Sequence, residues 1–249
     1  MRGFGRFVAR LGGAYVPGVD MGTTIEDLAA IGEVAPDVSC DHVDPSPYTA
    51  LGVMAAFEAA VAASDMGDLA GLQVLVQGAG HVGSSLARQL AERSVRVMIA
   101  DVDAARAAAI AKEVGGSVVP VGAVTATPCD VLAPCATARV VDQDNVQTLP
   151  CRAIVGAAND VLAHRELDRL LAARGVVYVP DFVANAGGVV QIHAIRSGWD
   201  EPTTEREVLR IGERVLELLQ RARSEGRTPL EAAEALASER IGRDVRLPN

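Results

Sequence analysis

The chain has 249 residues, 49% hydrophobic and only 3% aromatic, with a formal net charge of −9 at pH 7. That length supports a large core, and the acidic balance argues against a nucleic-acid or anionic-membrane surface, since both demand a positive field. Cys40, Cys129, Cys135 and Cys151 form no C-x-x-C pair and no metal-ligand spacing, so they read as small buried thiols of a reducing compartment and no metal is expected.

No apolar run reaches membrane length, and residues 1–18 have no signal-peptide core, so the expected setting is soluble and cytoplasmic. Residues 1–12 read as the end of a helix, with Phe4, Phe7, Val8 and Leu11 on one face and Gly12-Gly13 closing it. An extended piece, Tyr15–Val19, leads to Asp20-Met21-Gly22. Thr23 or Thr24 can then cap a helix over Ile25–Val34, with Glu26 and Asp27 in its first turn. Residues 35–47 form a Pro- and Asp-rich loop. A long apolar helix follows, from about Pro47 to Ala63, with Ser46 as its expected cap.

From residue 71 the pattern alternates. Leu72–Val76 reads as a strand, followed by a helix to about Arg93, a strand at Val95–Ala100 and a helix over Ala104–Val114. Shorter apolar pieces come at Ser117–Val121, Val131–Ala133, Ala153–Gly156 and Val176–Val179, with a helical segment at Ala163–Ala173. Near-continuous apolar strands with helical crossovers predict a doubly wound α/β fold, a mostly parallel Rossmann sheet with flanking helices. After Asp181 a C-terminal helical segment is predicted: Ala186–Ser197, Thr204–Ser224 and Pro229–Ile241. Val208, Ile211, Val215 and Leu218 keep helical spacing, so that face must be covered.

The segment LQVLVQGAGHVGSS carries the chemistry. A strand turns on Gly78, Gly80 and Gly83 into a helix, so free backbone N–H groups and the positive end of the helix dipole meet at one point. Asp101 ends the next strand, eighteen positions after Gly83. In the dinucleotide fold the glycines allow the tight turn and close approach of a pyrophosphate, while the acid accepts hydrogen bonds from the adenosine ribose. A carboxylate there repels a 2′-phosphate and favours NAD over NADP, with Arg106 the nearby residue that opposes this. The helical pattern starts at Val82, which borders the phosphates, and His81, inside the loop, reads as a surface or phosphate-edge residue.

Six stretches then resemble one family in order: YVPGVDMGTTIEDL, DPSPYTALGV, QGAGHVG, LAPCA, VGAAND and PDFVANAGGVV. They are similar to the Glu/Leu/Phe/Val amino-acid dehydrogenases, most to the leucine, valine and phenylalanine members, and the resemblance runs from Phe4 to Ile241. It implies a substrate domain before a Rossmann domain, with reversible NAD-linked oxidative deamination of a hydrophobic L-amino acid in the cleft between them. On this basis residues 1–45 are a remnant of the substrate domain and residues 46–249 the NAD-binding domain. Asp20 matches the aspartate that handles protons at the imine, and Thr49 a residue beside the nicotinamide carboxamide. Ala133, Pro134, Cys135, Ala136 and Asn159 line the nicotinamide ribose region. Asn185 belongs with the substrate site, and Val189 and Ile192 match positions that line the side-chain pocket. Without the family, Asp20 reads equally as a helix cap, and Asn159 and Asn185 as turn residues.

Two departures stand against that pattern. The family's lysines, one for the substrate carboxylate and one to activate water, belong to a glycine-rich segment upstream of this chain's first residue. The one lysine here, Lys112, stands among twenty-two arginines and reads as a solvated helix residue. Asp160 replaces the second asparagine of VGAAND and would repel a substrate carboxylate. The sequence therefore supports three readings: an amino-acid dehydrogenase, completed from upstream or by a partner chain supplying the lysines; a reduced enzyme acting on an imine or similar substrate; or a non-catalytic NAD-binding partner. The expected partners are a small amino acid, oxoacid or imine and further copies in a homo-oligomer.

Overall fold

The computed structural model describes residues 1–18, 22–35 and 44–244. Asp20, Cys40 and Met21 lie outside the described residues. Two short helices come first, α1 (Arg2–Ala9) and α2 (Ile25–Gly32). Thr24 caps α2 in a reciprocal box: its hydroxyl accepts from the Asp27 N–H, while the Asp27 carboxylate accepts from the Thr24 N–H. Val8, Leu28, Ile31 and Ala35 form a small cluster of their own. Phe4, Phe7 and Leu11 stay exposed, so the apolar face expected on the first helix is covered only at Gly5 and Val8.

The helix α3 (Ser46–Ala62) is apolar all round, and such a helix is stable only when surrounded. It lies among α4 (His81–Glu92), α8 (Gly187–Ser197) and α9 (Glu201–Glu225). Its cap differs from expectation. Ser46 is already helical, Pro45 occupies the capping position, and the Ser46 N–H donates to Asp44 Oδ1 at 2.9 Å. The capping oxygen therefore comes from the Asp of the Asp-Pro-Ser turn.

The sheet is built from β1 (Gln73–Gln77), β2 (Arg96–Ala100), β3 (Ser117–Val118), β4 (Val131–Pro134), β5 (Ala153–Ile154) and β6 (Val177–Tyr178). Its order is β3-β2-β1-β4-β5-β6, and every pairing is parallel. Crossovers run through α4, α5 (Ala104–Glu113) and α6 (Leu167–Ala173); the strand expected over Ser117–Val121 is formed only at Ser117–Val118, and a 3-10 turn runs from Val121 to Ala126. A two-residue alternation shows in β1: Val74 and Val76 join the core beneath α3, α4 and α9, whereas Leu75 joins Leu132, Ile154 and Leu171 on the other face. Phe57, fully buried in the first layer, would cost about 3–5 kcal/mol to truncate to alanine.

A short helix, α7 (Asp181–Ala184), links β6 to α8, and α10 (Pro229–Asp244) ends the described chain. The face of α9 that needed a cover has one: Val208, Ile211 and Val215 are buried with the α3 side chains Val53, Met54 and Phe57. Gly187 makes the crossing of α8 over α3 possible, because a Cβ there would fall 2.0 Å from the Tyr48 carbonyl oxygen. No helix among the described residues is long and apolar enough to cross a membrane.

Candidate functional site

The strand order changes direction between β1 and β4, and their C-terminal ends open the crevice where such sheets hold ligands. The glycine segment sits at this point. Gly78 follows β1 with φ +103°, and a Cβ on it would meet Ala136 Cβ at 2.7 Å. A Cβ on Gly83 would fall 2.0 Å from the Gly78 carbonyl oxygen. Gly80 is the opposite case, with no atom within 4 Å of the place a Cβ would take. Packing thus demands the first and third glycines, and the second borders open space at the start of α4. That cradle fits a dinucleotide pyrophosphate.

Asp101 follows β2 and faces the same loop. Its Oδ2 accepts from the Ala79 N–H at 2.6 Å and its Oδ1 from the Asp103 N–H at 2.8 Å. Each oxygen retains a second acceptor position, so the carboxylate can still receive a ribose hydroxyl. Arg106 does not neutralise it: the guanidinium is engaged by Asp103 at 3.1 Å, one turn into α5.

His81 opens α4, one residue earlier than the sequence suggested, and is largely exposed. Its Nδ1 lies 3.0 Å from Asp44 Oδ2, tying the glycine loop to the turn before α3. Burial alone would raise the Asp44 carboxyl, but hydrogen bonds from Ser46 and His81 hold it below its ordinary value. Sequence reasoning missed Asp44; an Asp-Pro-Ser turn ahead of a helix was the available signal. It also missed Gln77, the polar last residue of β1. Its Nε2 donates to Thr137 Oγ1 at 3.3 Å, and its Oε1 is buried without a partner.

Across the crevice, Ala133 and Pro134 are buried at the end of β4, Ala136 is exposed, and the Cys135 N–H donates to the Gln77 carbonyl at 2.7 Å. Burial pushes the Cys135 thiol up to about 12. Cys129 and Cys151 are raised by burial as well, to about 12 and about 11. Among the described residues no cluster of His, Cys, Asp or Glu could hold a metal ion.

Two predicted site residues from separate segments meet. Asn185 Nδ2 donates to Asn159 Oδ1 at 2.6 Å and to the Ala157 carbonyl at 3.1 Å. Asp160 beside them is exposed with φ +51°, a left-handed conformation that Asp and Asn tolerate better than most residues. Thr49 Oγ1 donates to the Pro45 carbonyl at 3.1 Å and lies under α8, where a Cβ on Gly188 would come within 2.6 Å of it. Val82 is half-buried in the first turn of α4. Val189 is 68% exposed on α8, whereas Ile192, one turn on, packs against the small cluster of α1 and α2. Lys112 lies in the last turn of α5. That crossover helix runs back from the ligand edge, so the chain's one lysine sits at the opposite edge of the sheet.

Comparison with known proteins agrees with this geometry. Residues 98–246 match the sequence model of the Glutamate/Leucine/Phenylalanine/Valine dehydrogenases. An L-tryptophan dehydrogenase of Nostoc punctiforme is 34% identical, over 99% of this chain and 71% of that protein. A leucine dehydrogenase of Thermoactinomyces intermedius is 32% identical, over 96% of this chain and 68% of its own length. The crystal structure of L-tryptophan dehydrogenase from Nostoc punctiforme superposes with a TM-score of 0.85 at 33% identity, covering 97% of this chain and 72% of that one.

Proposed function

The chain belongs to the glutamate/leucine/phenylalanine/valine dehydrogenase family, and from that premise we propose that it is an NAD-dependent oxidoreductase acting at the carbon–nitrogen bond of a hydrophobic L-amino acid. The observation that supports this best is the glycine cradle at the strand switch with Asp101 bonded to its Ala79 N–H. Gly78, Gly80 and Gly83 would hold the pyrophosphate, with His81 and Val82 at its border. Asp101 would take the adenosine ribose, and a 2′-phosphate would meet its negative charge. Ala133–Ala136, Thr49 and Asn159 would line the nicotinamide end. Bound there, NAD supplies the hydride acceptor or donor.

The substrate would sit beside the Asn159–Asn185 pair, with Val189 against its apolar side chain and Asp20 handling protons. Residues 1–45 then belong to the substrate domain and residues 46–249 to the cofactor domain. Lys112 takes no part, because it stands at the wrong edge of the sheet. In the family a lysine activates the attacking water, so oxidative deamination needs a lysine from outside these residues, upstream or on a partner chain. The same observation favours one second reading: reduction of a preformed imine, which requires no base to activate water.

Fluorescence titration of NADH and NADPH tests the cofactor site. NADH binds more tightly on this reading, and equal affinities would remove the role given to Asp101. Turnover of NADH with ammonium and branched-chain or aromatic oxoacids tests the chemistry. Slow or absent turnover that a preformed imine rescues favours the second reading. Fast turnover from the chain alone would show that a lysine from outside these residues is dispensable.

A further inference from the structure

We infer that the groove between α7, α9 and α10 is a second small-molecule site, one that takes an apolar monocarboxylate. It lies away from the glycine cradle and goes beyond the activity proposed above. The groove encloses about 380 Å³, within the usual size of small-molecule sites, about 300–1,000 Å³. Its floor is aliphatic, made by Val183, Ile211, Leu218, Ala233 and Leu236, and Phe182 stands at its edge 49% exposed.

The rim supplies the polarity. Arg214 of α9 and Arg240 of α10 border the groove, and among the described residues neither has an ion-pair or hydrogen-bond partner. Arg221 is different, since Glu225 and Glu239 neutralise it. Glu217 also borders the groove and has no ion pair among the described residues, which leaves two uncompensated cations against one carboxylate there. A planar guanidinium donates two parallel hydrogen bonds to a carboxylate, and Glu217 disfavours a more highly charged anion. An aliphatic chain on the floor and a single carboxylate at the rim therefore match the groove in both shape and charge.

The wall connects this groove to the proposed active site. Phe182, Val183 and Ala186 line it, and Asn185, bonded to Asn159, lies between Val183 and Ala186 in the chain. An occupant of the groove touches residues on both sides of that asparagine.

Octanoate is the probe, with octylamine and 1-octanol as cationic and neutral counterparts, titrated calorimetrically into the full chain. Trp199, the only tryptophan, gives a second readout because Arg214 also lines the niche beside it. Octanoate should bind saturably at one site, at least about tenfold tighter than octylamine. The double substitution Arg214→Gln with Arg240→Gln should weaken octanoate about tenfold or more and leave 1-octanol and NADH binding unchanged. Ala237→Trp, which fills the groove from exposed α10, should abolish binding of all three aliphatic probes. Equal affinity for octanoate and octylamine, an undiminished octanoate affinity in the double variant, or no saturable binding would each overturn the inference. Circular dichroism establishes that each variant is folded, and should Ala237→Trp unfold, the double variant decides alone. Loss of NADH binding would bear on the cofactor site and not on this one.

Discussion

Around β1, β2 and β4 the ligand edge is made of backbone: Gly78, Gly80, the Ala79 N–H held by Asp101, and the Cys135 N–H held by Gln77. Around β5 and β6 the neighbouring edge is made of side chains, with the Asn159 and Asn185 amides bonded to each other and Val189 projecting free. The first region is fixed by sterics, since a single methyl group at Gly83 has nowhere to go. The second is fixed by a few hydrogen bonds of about 1 kcal/mol each, and its outer surface can change residue type without disturbing the core. A cofactor common to many substrates suits the first construction. Substrate choice suits the second.

The sharpest way to break this contrast is Gly83→Ala. The added Cβ would overlap the Gly78 carbonyl, so stability should fall by about 1–3 kcal/mol and NADH affinity by about 100-fold, read by thermal melting and fluorescence titration. Normal NADH binding in that variant would show that the edge is not a rigid cradle. Asp101→Asn comes next. It removes one charge and leaves a single acceptor oxygen for the Ala79 N–H, the Asp103 N–H and the ribose. NADH should therefore bind about 10- to 30-fold more weakly, and NADPH no worse than before.

Asn185→Ala moves to the other region. It should lower kcat/KM about tenfold with the NADH dissociation constant unchanged, and cost about 1 kcal/mol of stability from the lost bonds to Ala157 and Asn159. A parallel loss of NADH affinity would mean that the two regions are not separable. The smallest effect belongs to Val189→Ala. Its exposure keeps the stability change within about 0.5 kcal/mol, and only the ranking of oxoacids by KM should shift, by a few-fold.

The same contrast explains what the sequence made legible. The glycine loop, the acid after the second strand and the parallel strand–helix alternation were all readable because each reflects a local requirement of backbone geometry. The buried stripe on α9 was readable for the same reason. Asp160 had no such rationale in the sequence, and its positive φ now supplies one. Contacts between distant segments were hidden. Nothing near Asp44 announces a bond to His81, thirty-seven residues away, and Ser46 looked like the cap that Asp44 turned out to provide. The spacing of Phe4, Phe7 and Leu11 revealed an apolar face near the start of the chain, but no local pattern could say that these three side chains remain exposed.

The two outermost strands, β3 and β6, contain only two residues each. Such stubs offer almost no free ladder of N–H and C=O groups, so another polypeptide gains little by adding a strand at either end. Copies of this chain would therefore associate through helical surfaces and not by extending the sheet. Any assembly they form should leave the spacing of the crevice between β1 and β4 unaltered.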